Sequence, residues 1–377
     1  MQIGITRELA SGERRVALTP GGVRRLVEAG HAVYFEHAAG ERSFYPDDEY
    51  LQAGAKQVFS AAEVWGRADL VAKVAAPTKA EYELLHPEQI VMGFFHLAVS
   101  PREAYQILLK KQVTAIGFEV IESMDGNLPV LSAISEIAGQ MTVPIASHLL
   151  ETESGGRGIL LGGAPGIPPA LVVILGAGIV GTHATRTAVG AGAQVIVLDQ
   201  EINKLRRIHN EFGNRVATAM ADRPTIERLV KAADVLIGAV LIHGGKAPHL
   251  VSEEMVRTMK PGSVILDISI DQGGCVATSR PTTLAQPTFV YSGVIHYCVP
   301  NMTANIARTA TAALSHSSLP YLMRIANEGI DRALYHSPDL AKGVYTYNGQ
   351  CVNPVIAEIF GAKPVEIYSL LGEQIWS

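Results

Sequence analysis

Cysteines and long apolar runs are both scarce in this sequence. The chain of 377 residues holds 3 cysteines, and Cys275, Cys298 and Cys351 show no C-x-x-C spacing. Their scarcity excludes a disulfide framework and predicts no metal site. No apolar run reaches the roughly 18 residues that a transmembrane helix needs, and the first residues lack the apolar core of a signal peptide. We therefore expect a cytoplasmic protein that makes no contact with a membrane.

An excess of positive charge is also missing. The net charge is −5 and only 18% of the residues are charged, which gives no indication of a nucleic-acid partner. The chain is 48% hydrophobic, and its length is enough for two domains that each bury their own core. The composition therefore favours an ordinary globular protein.

Strand-like and helix-like segments alternate along the chain. The first series predicts strands at 1–5, 31–36, 69–74, 90–95 and 114–120, with helices at 20–30, 79–85 and 101–111. The second predicts strands near 171–175, 194–198, 215–219, 234–240 and 263–269, with a less regular strand near 289–298. Such alternation predicts parallel sheets with helices on both faces.

The predicted fold class is α/β, with two doubly wound Rossmann-like domains whose sheets are mostly parallel. Two long helices, near 133–153 and 303–330, are expected to link them. The positions of these helices assign residues 1–132 and 305–377 to a substrate domain and residues 133–304 to a nucleotide-binding domain.

The most specific local pattern lies at residues 171–199. An apolar strand runs into Gly176-Ala177-Gly178-Ile179-Val180-Gly181, a helix-compatible segment follows, and a second apolar run ends on Asp199. This strand–turn–helix context is that of a dinucleotide-binding fingerprint, in which helix N–H groups hold a pyrophosphate. Asp199 would bind a ribose 2′-OH and repel a 2′-phosphate, which favours NAD over NADP. The alternative is a Gly-rich turn without a ligand.

Two side chains follow predicted strands of the first series. Arg15, after the first strand, could bind a carboxylate through both arms of its guanidinium. His96 follows the run Val91 to Phe95 and could act as a general acid or base. A solvated loop arginine and a structural histidine are the alternatives.

Polar groups also follow strands of the second series. Asp267 lies within an apolar run and is expected to be a buried structural acid, whereas Asp271 is the better functional candidate. The segment 238–241, which ends in Val240 and Leu241, could pass along the cofactor. Ser135 could reach the same ligand from the start of the linking helix.

The chain resembles the alanine dehydrogenase family. The resemblance covers essentially the whole chain and rests on IGITRE, ERRVALTP, FFHLA, ISEIAG, GGRGILLGGAPG, GAGIVG, GAVLIHGGKAP, DISIDQGG, SRPTT and HYCVPNM. It implies the fold shared with the nucleotide-binding first domain of proton-translocating transhydrogenase. It also implies NAD-dependent, reversible oxidative deamination of L-alanine to pyruvate and ammonia, in a homo-oligomer that is usually a hexamer.

The resemblance also implies roles for individual residues. Arg15 would bind the substrate carboxylate, His96 would be the acid or base, and Asp271 would be the essential acid of the nucleotide domain. The residues implied in cofactor binding are Ser135, Gly176, Gly178, Ile179, Val180, Gly181, Asp199, Lys204, Val240, Leu241, Ile268, Asn301 and Met302, of which Asn301 would also lie beside the substrate.

Two departures from the family pattern lie on the substrate side. Members typically read KVKEP where this chain reads Lys73-Val74-Ala75-Ala76-Pro77, so the lysine implied to contact the substrate is replaced by Ala75. Prolines are usual where Thr303 and Ala307 stand. Lys73 is expected to point to the same face as Ala75, because residues two apart in a strand do so, and it is therefore a further substrate-binding candidate.

The function predicted from the sequence is an NAD-dependent oxidoreductase that acts on the CH–NH₂ group of alanine or of a related small amino or imino acid. One alternative is a reductase for a different amine or imine of specialised metabolism, which Ala75 motivates. Others are a transhydrogenase-like hydride carrier and a non-catalytic NAD-binding protein.

Overall fold

The computed structural model describes residues 1–242 and 245–375. Its internal contacts divide the chain into two compact units. The first unit comprises Met1–Ile134 and Ala304–Ser377, and the second comprises Ser135–Thr303. His243 and Gly244 of the GAVLIHGGKAP motif lie outside the described residues.

The strands follow one another in short segments. In chain order they are β1 (Gln2–Ile5), β2 (Ala32–Glu36), β3 (Lys56–Val58), β4 (Leu70–Ala75), β5 (Ile90–Phe94), β6 (Thr114–Gly117), β7 (Leu171–Leu175), β8 (Gln194–Asp199), β9 (Val216–Met220), β10 (Val235–Gly238), β11 (Val264–Asp267), β12 (Thr288–Tyr291), β13 (Val294–Tyr297), β14 (Val344–Tyr347) and β15 (Gln350–Cys351).

Helices occupy most of the segments between the strands. In chain order they are α1 (Pro20–Glu28), α2 (Asp47–Gln52), α3 (Ala61–Arg67), α4 (Arg102–Lys110), α5 (Pro129–Leu149), α6 (Ile179–Gly190), α7 (Ile202–Phe212), α8 (Arg223–Ala232), α9 (Glu253–Arg257), α10 (Ala307–Glu328), α11 (Ile330–His336), α12 (Pro338–Lys342), α13 (Pro354–Phe360) and α14 (Ile367–Ile375).

Each unit is built on one mostly parallel sheet. The sheet of the first unit has the strand order β15-β14-β6-β5-β4-β1-β2-β3, in which β14 pairs antiparallel with β6 and with β15. The sheet of the second unit has the order β12-β13-β11-β10-β7-β8-β9, with only the edge pair β12–β13 antiparallel. Two α/β units with mostly parallel sheets confirm the predicted fold class.

The second unit is covered by helices on both faces of its sheet. Val172 and Ile174 of β7 pack with residues of α5, α6 and α7, whereas Val173 and Leu175 pack with residues of α8 and α9. Successive side chains of a strand point to opposite faces, so this segregation shows a doubly wound sheet. Each such fully buried aliphatic side chain contributes about 1.5–3 kcal/mol to the free energy of unfolding.

The ends of α1 follow the sequence signals. The Thr19 side chain accepts a hydrogen bond from the N–H of Gly22, and Pro20 is the first helical residue. Gly30 has φ +89°, a left-handed conformation that ends many helices because glycine adopts it without a steric penalty. The predicted start and end of this helix are confirmed.

Several predicted elements differ in the structure. The predicted helix at 79–85 is wrong: the structure has a single 3₁₀ turn at Tyr82–Leu84, preceded by hydrogen bonds from the N–H and hydroxyl of Thr78 to the buried Glu81 carboxylate. The predicted strand at 289–298 is the hairpin β12–β13. Its turn residues Ser292 and Gly293 both have positive φ, as a type I′ turn requires.

The boundary shifts are smaller elsewhere. The linking helix α5 begins at Pro129 and ends at Leu149, earlier than predicted. The helix predicted from 303 begins at Ala307, and a 3₁₀ helix at Met302–Ile306 precedes it. The chain therefore passes between the units within α5 and within this 3₁₀ segment.

Candidate active site

Two of the three fingerprint glycines in the second unit, Gly176 and Gly181, lie too close to neighbouring atoms to carry a side chain. A Cβ on Gly176, whose φ is +105°, would lie 2.3 Å from the carbonyl oxygen of Ala239, and one on Gly181 would lie 1.9 Å from the carbonyl oxygen of Gly176. By contrast, a Cβ on Gly178 would meet no atom within 4 Å. Gly176 and Gly181 therefore permit close packing, and Gly178 leaves open space beside the start of α6.

The N-terminus of α6 presents main-chain donors. Its N-cap is Gly178, which has no side chain to accept the N–H groups of the first turn, and Ile179 and Val180 begin the helix. Unpaired N–H groups and the positive end of the helix dipole form a suitable site for a phosphate.

Asp199 fixes the fingerprint loop from the end of the neighbouring strand β8. One carboxylate oxygen accepts a hydrogen bond from the N–H of Ala177 at 2.8 Å, and the other accepts one from the N–H of Glu201 at 2.8 Å. Lys204 forms an ion pair with Glu201 one helical turn away on α7. The carboxylate is partly exposed at the carboxyl edge of the sheet, where parallel α/β sheets bind nucleotides.

Asp271 and Asn301 are brought together at the same edge. Asp271 lies in the 3₁₀ helix Ile268–Gln272 directly after β11. Its carboxylate accepts a hydrogen bond of 3.1 Å from the main-chain N–H of Asn301, a residue whose φ is +52°. Two predicted site residues, distant in sequence, therefore share one hydrogen bond.

Asp267 supports the loop that carries Asp271. It is 0% exposed, and its carboxylate accepts hydrogen bonds from the N–H groups of Ser269, Cys275 and Val276. Burial raises the pKa of Asp267, and hydrogen bonds from Ser279, Val276 and Cys275 act in the opposite direction. The prediction that Asp267 is a buried structural acid is confirmed.

The remaining cofactor-binding candidates of the second unit differ in exposure. The N–H of Val240 donates to the Ser269 hydroxyl at 3.0 Å, which ties the loop after β10 to the loop after β11, and Leu241 is exposed. Met302 is buried in the core cluster, and Ile268 packs against that cluster. Ser135 is half-buried in α5.

Arg15 of the first unit is buried in a pair with Glu13. The Nε and one terminal nitrogen of Arg15 donate to the two oxygens of Glu13 at 2.8 and 2.6 Å, and the side chains are 1% and 2% exposed. Burial alone would raise the pKa of Glu13, but the Arg15 charge and the hydrogen bonds from Arg15 and Arg14 lower it overall. The fork geometry fixes the plane of the guanidinium.

Lys73 lies in a buried cluster of opposite charges. Its Nζ is 2.8 Å from a Glu81 oxygen, 3.4 Å from a Glu8 oxygen and 3.1 Å from the Thr6 hydroxyl, and the side chain is 0% exposed. Burial would lower the pKa of Lys73, but the two carboxylates raise it overall, whereas burial raises that of Glu8. These contacts favour a structural role for Lys73 over contact with a substrate.

Strand β4 is irregular around Lys73 and Ala75, so simple alternation does not determine the relative direction of their side chains. The pairing of β4 with β5 changes register between Ala72 and Ala75, a β-bulge that breaks the two-residue alternation. The N–H of Val74 donates to Glu8 at 2.6 Å within the bulge. Lys73 is buried, and Ala75, at the end of the strand, is half-exposed.

His96 follows β5 with φ +46°. Its imidazole lies parallel to the Phe94 ring, with 5.9 Å between the ring centroids, and the residue is half-buried. Its main-chain N–H donates to a Glu119 oxygen at 2.6 Å. A histidine at the carboxyl edge of a parallel sheet matches the position expected from the sequence.

The sequence did not reveal four acidic partners. Glu8 and Glu13 lie in the N-terminal motifs, Glu81 follows β4, and Glu119 follows β6. The partners of Glu8 and Glu119 depend on contacts between distant segments, whereas Glu13 lies only two residues from Arg15 and was the one partner that the sequence placed nearby. Thr303 and Ala307, the other departures, are both buried; Ala307 begins α10, a position that also suits proline.

Within the described residues, the structure contains no helix long and apolar enough to cross a membrane. The ranges 1–242 and 245–375 also hold no cluster of three or more His, Cys, Asp or Glu side chains suited to a metal ion. Cys275, Cys298 and Cys351 are free, buried thiols.

Comparisons with known proteins give a consistent assignment. The N-terminal and C-terminal domain profiles of the alanine dehydrogenase/PNT family match residues 4–138 and 142–354. The alanine dehydrogenase of Methanococcus maripaludis is 46% identical over 359 residues, which cover 95% of this chain and 96% of that protein. The alanine dehydrogenase of Mycobacterium tuberculosis is 44% identical over 371 residues, covering 98% of this chain and 100% of that protein.

Solved structures agree with these relatives. An L-alanine dehydrogenase superposes with a TM-score of 0.89 at 44% identity and covers 96% of this chain and 99% of its own. A transhydrogenase from Sinorhizobium meliloti shares the fold, with a TM-score of 0.77 at 24% identity over 94% of this chain and 99% of its own. The chain therefore belongs to the alanine dehydrogenase/PNT family.

Proposed function

We propose that this chain is an NAD-dependent amino-acid dehydrogenase that interconverts L-alanine with pyruvate and ammonia. The observation that carries the proposal is the near-complete coverage by relatives named alanine dehydrogenase, at 41–46% identity. Arg15, His96 and Asp271 are all present at the ends of strands or in the loops that follow them. The substrate is alanine or a closely related small amino or imino acid.

The second unit has the features that NAD requires. The open space beside Gly178, the unobstructed first turn of α6 and the Asp199 carboxylate fit a pyrophosphate followed by a ribose diol. Bound NAD would supply the hydride acceptor for the substrate Cα–H. Asp199 accepts hydrogen bonds from the ribose, while its charge disfavours the 2′-phosphate of NADP.

The substrate carboxylate binds to Arg15. Glu13 orients the guanidinium, and the burial of the pair keeps water away, so an added carboxylate interacts more strongly there than at the surface. Ser135, Val240, Leu241, Ile268, Asn301 and Met302 belong to the cofactor side in this proposal, and Asn301 also borders the substrate.

Proton transfer is assigned to His96. In the oxidative direction its imidazole takes a proton from the amino group or from the water that hydrolyses the imine, and in reverse it returns that proton. The Asp271 carboxylate orients the amine or this water.

Ala75 removes a cation that the family resemblance implies next to the substrate, and Lys73 is engaged with Glu8 and Glu81. A cation there would stabilise negative charge that develops on the carbonyl or carboxylate oxygen. We therefore expect slower turnover of alanine, or a preference for another small substrate, relative to a variant with a lysine at this position.

Assembly and location complete the proposal. We propose a homo-oligomer, with a hexamer as the expected form, and a cytoplasmic location, which suits the three free thiols. Light scattering on the purified chain measures the oligomeric mass directly.

The decisive test is reduction of NAD⁺ with a panel of small amino acids, and oxidation of NADH with the matching oxo acids and ammonia. Wild-type protein and Ala75→Lys are compared side by side. Turnover with alanine in either protein supports the proposal, and a higher kcat/KM for Ala75→Lys identifies the missing cation. Absence of turnover in both, with NAD still bound in calorimetry, would overturn it in favour of a binding protein. Hydride exchange between NADH and an NAD analogue without an amino acid would instead favour a transhydrogenase-like carrier.

A further inference from the structure

We infer that Glu119 is a positioning residue that holds the His96 imidazole in place through the main chain, and that Tyr345 fixes Glu119. The inference rests on the proposed role of His96 in proton transfer. It adds two residues that the sequence patterns did not identify.

The first observation is the conformation of His96. Its φ of +46° lies in the left-handed region, which is sterically unfavourable for residues with a Cβ and therefore needs support from the surroundings. A turn follows His96, with the N–H of Val99 bonded to the His96 carbonyl, so the main-chain conformation at this residue determines where the imidazole points.

The support comes from Glu119. Its carboxylate accepts hydrogen bonds from two successive main-chain groups, the N–H of Phe95 at 3.1 Å and the N–H of His96 at 2.6 Å. Successive N–H groups that converge on one anion form a recognised anion-binding arrangement. In this unit the anion is a side chain of the protein, and Glu119 is only 5% exposed.

Glu119 is itself held by Tyr345. The Tyr345 hydroxyl, on β14, donates to the Glu119 oxygen that also binds the His96 N–H, at 2.8 Å. Burial, followed by the Glu119 charge, raises the pKa of Tyr345 well above its ordinary value, so the hydroxyl stays a donor. The Phe95 ring also lies against Tyr345 in an edge contact, with centroids 6.1 Å apart.

The His96 ring is held differently from its main chain. It stacks on Phe94, and among the described residues no side chain or main-chain group bonds to its ring nitrogens. The carboxylate therefore controls the position of the imidazole without occupying the nitrogens that exchange protons. This division of roles suits a group that must meet a substrate.

The test begins with wild-type activity, which decides the proposed function, and then compares Glu119→Ala, Glu119→Gln and Tyr345→Phe. We expect Glu119→Ala to lower kcat, measured per NADH-binding site, about a hundredfold, because a displacement of the His96 imidazole by about 1 Å has an effect of this size. The KM for NADH should change much less. Glu119→Gln keeps an acceptor oxygen and should recover much of the loss, and Tyr345→Phe should fall between Glu119→Gln and wild type.

Two readouts separate positioning from a general loss of folded protein. The solvent deuterium isotope effect on kcat should rise in Glu119→Ala, because proton transfer becomes slower. The labelling of His96 by diethyl pyrocarbonate, followed by mass spectrometry, should also become faster, and this readout does not depend on turnover.

Matched controls exist in the same unit. Glu36 is buried and binds the N–H of Arg7, and Tyr347 on β14 donates to Asp331, so Glu36→Ala and Tyr347→Phe remove comparable contacts elsewhere. They should leave the isotope effect and His96 labelling unchanged. The inference is overturned if Glu119→Ala shows wild-type His96 labelling and isotope effect, or if the controls change both equally.

Discussion

The carboxylate of Asp271 accepts a hydrogen bond from the main-chain N–H of Asn301 at 3.1 Å. This contact joins the loop after β11 to the segment that leaves the second unit, and Asn301 has a positive φ there. The Asp271 carboxylate therefore shapes the loop as well as supplying charge.

Replacement of Asp271 by Asn separates these two roles. The amide oxygen of Asp271→Asn still accepts the Asn301 N–H, so NAD affinity should stay within a few-fold of wild type. The charge is lost, and we expect kcat to fall by about a hundredfold, because the amine or water that Asp271 orients is no longer held in place. Steady-state kinetics and calorimetry with NAD measure the two effects. Asp222→Asn is the control, because Asp222 caps α8 and Asn caps helices equally well; near-wild-type turnover in Asp271→Asn would remove Asp271 from the catalytic set.

Asp199 should determine the choice of nucleotide. Asp199→Asn removes the charge and keeps one acceptor oxygen, so that only one of the N–H groups of Ala177 and Glu201 retains its partner. Two like charges about 4 Å apart repel by at least about 1 kcal/mol, so the preference for NAD over NADP in kcat/KM should narrow by about fivefold or more. Glu211→Gln, at the exposed ion pair with Arg186, should leave the ratio unchanged. An unchanged ratio in Asp199→Asn would place the discrimination elsewhere.

The buried Lys73 cluster should matter for stability. Lys73→Met leaves Glu8 and Glu81 buried without their cation, and breaking such a cluster costs about 3–5 kcal/mol. Urea denaturation measures this loss, and kcat per folded molecule should be nearly unchanged. Lys79→Met, at the exposed pair with Glu103, should have little effect. A stable but inactive Lys73→Met protein would instead support the substrate-binding role that the sequence suggested.

Glu13 should make stability depend on pH. Its pKa is lowered from the ordinary 4.5, so its contribution is present above pH 4.5 and lost as the pH falls through the lower value of the folded state. The free energy of unfolding of Glu13→Gln should therefore decline less than that of wild type from about pH 4.5 downward. The pKa of Glu8 is raised, so Glu8 changes the stability only above pH 4.5 and does not affect the comparison below that pH. Equal slopes in the two proteins would contradict the assignment.

Local sequence signals predicted those features that depend on neighbouring residues. The Thr19 cap, the contacts of Gly176 and Gly181, and the burial of Asp267 all follow from residues near in sequence. Most strands of the two series also followed, because apolar periodicity reports burial directly, whereas the short strands β3, β14 and β15 were not predicted.

The features that the sequence missed depend on pairing between distant segments. The bulge between Ala72 and Ala75 is defined only by the register of β4 against β5. The bond from His96 to Glu119 and that from Glu119 to Tyr345 each join residues on different strands or loops. No local pattern records such contacts.

The antiparallel pairing of β6 with β14 has a consequence for synthesis of the chain. The segment Met1–Ile134 leaves the ribosome first, yet its sheet lacks β14 and β15 until residues 344–351 emerge. The second unit, Ser135–Thr303, is continuous and has all its strands before that point. We therefore expect the middle of the newborn protein to fold before its beginning, while the free edge of β6 stays open to wrong pairing until the C-terminal strands arrive.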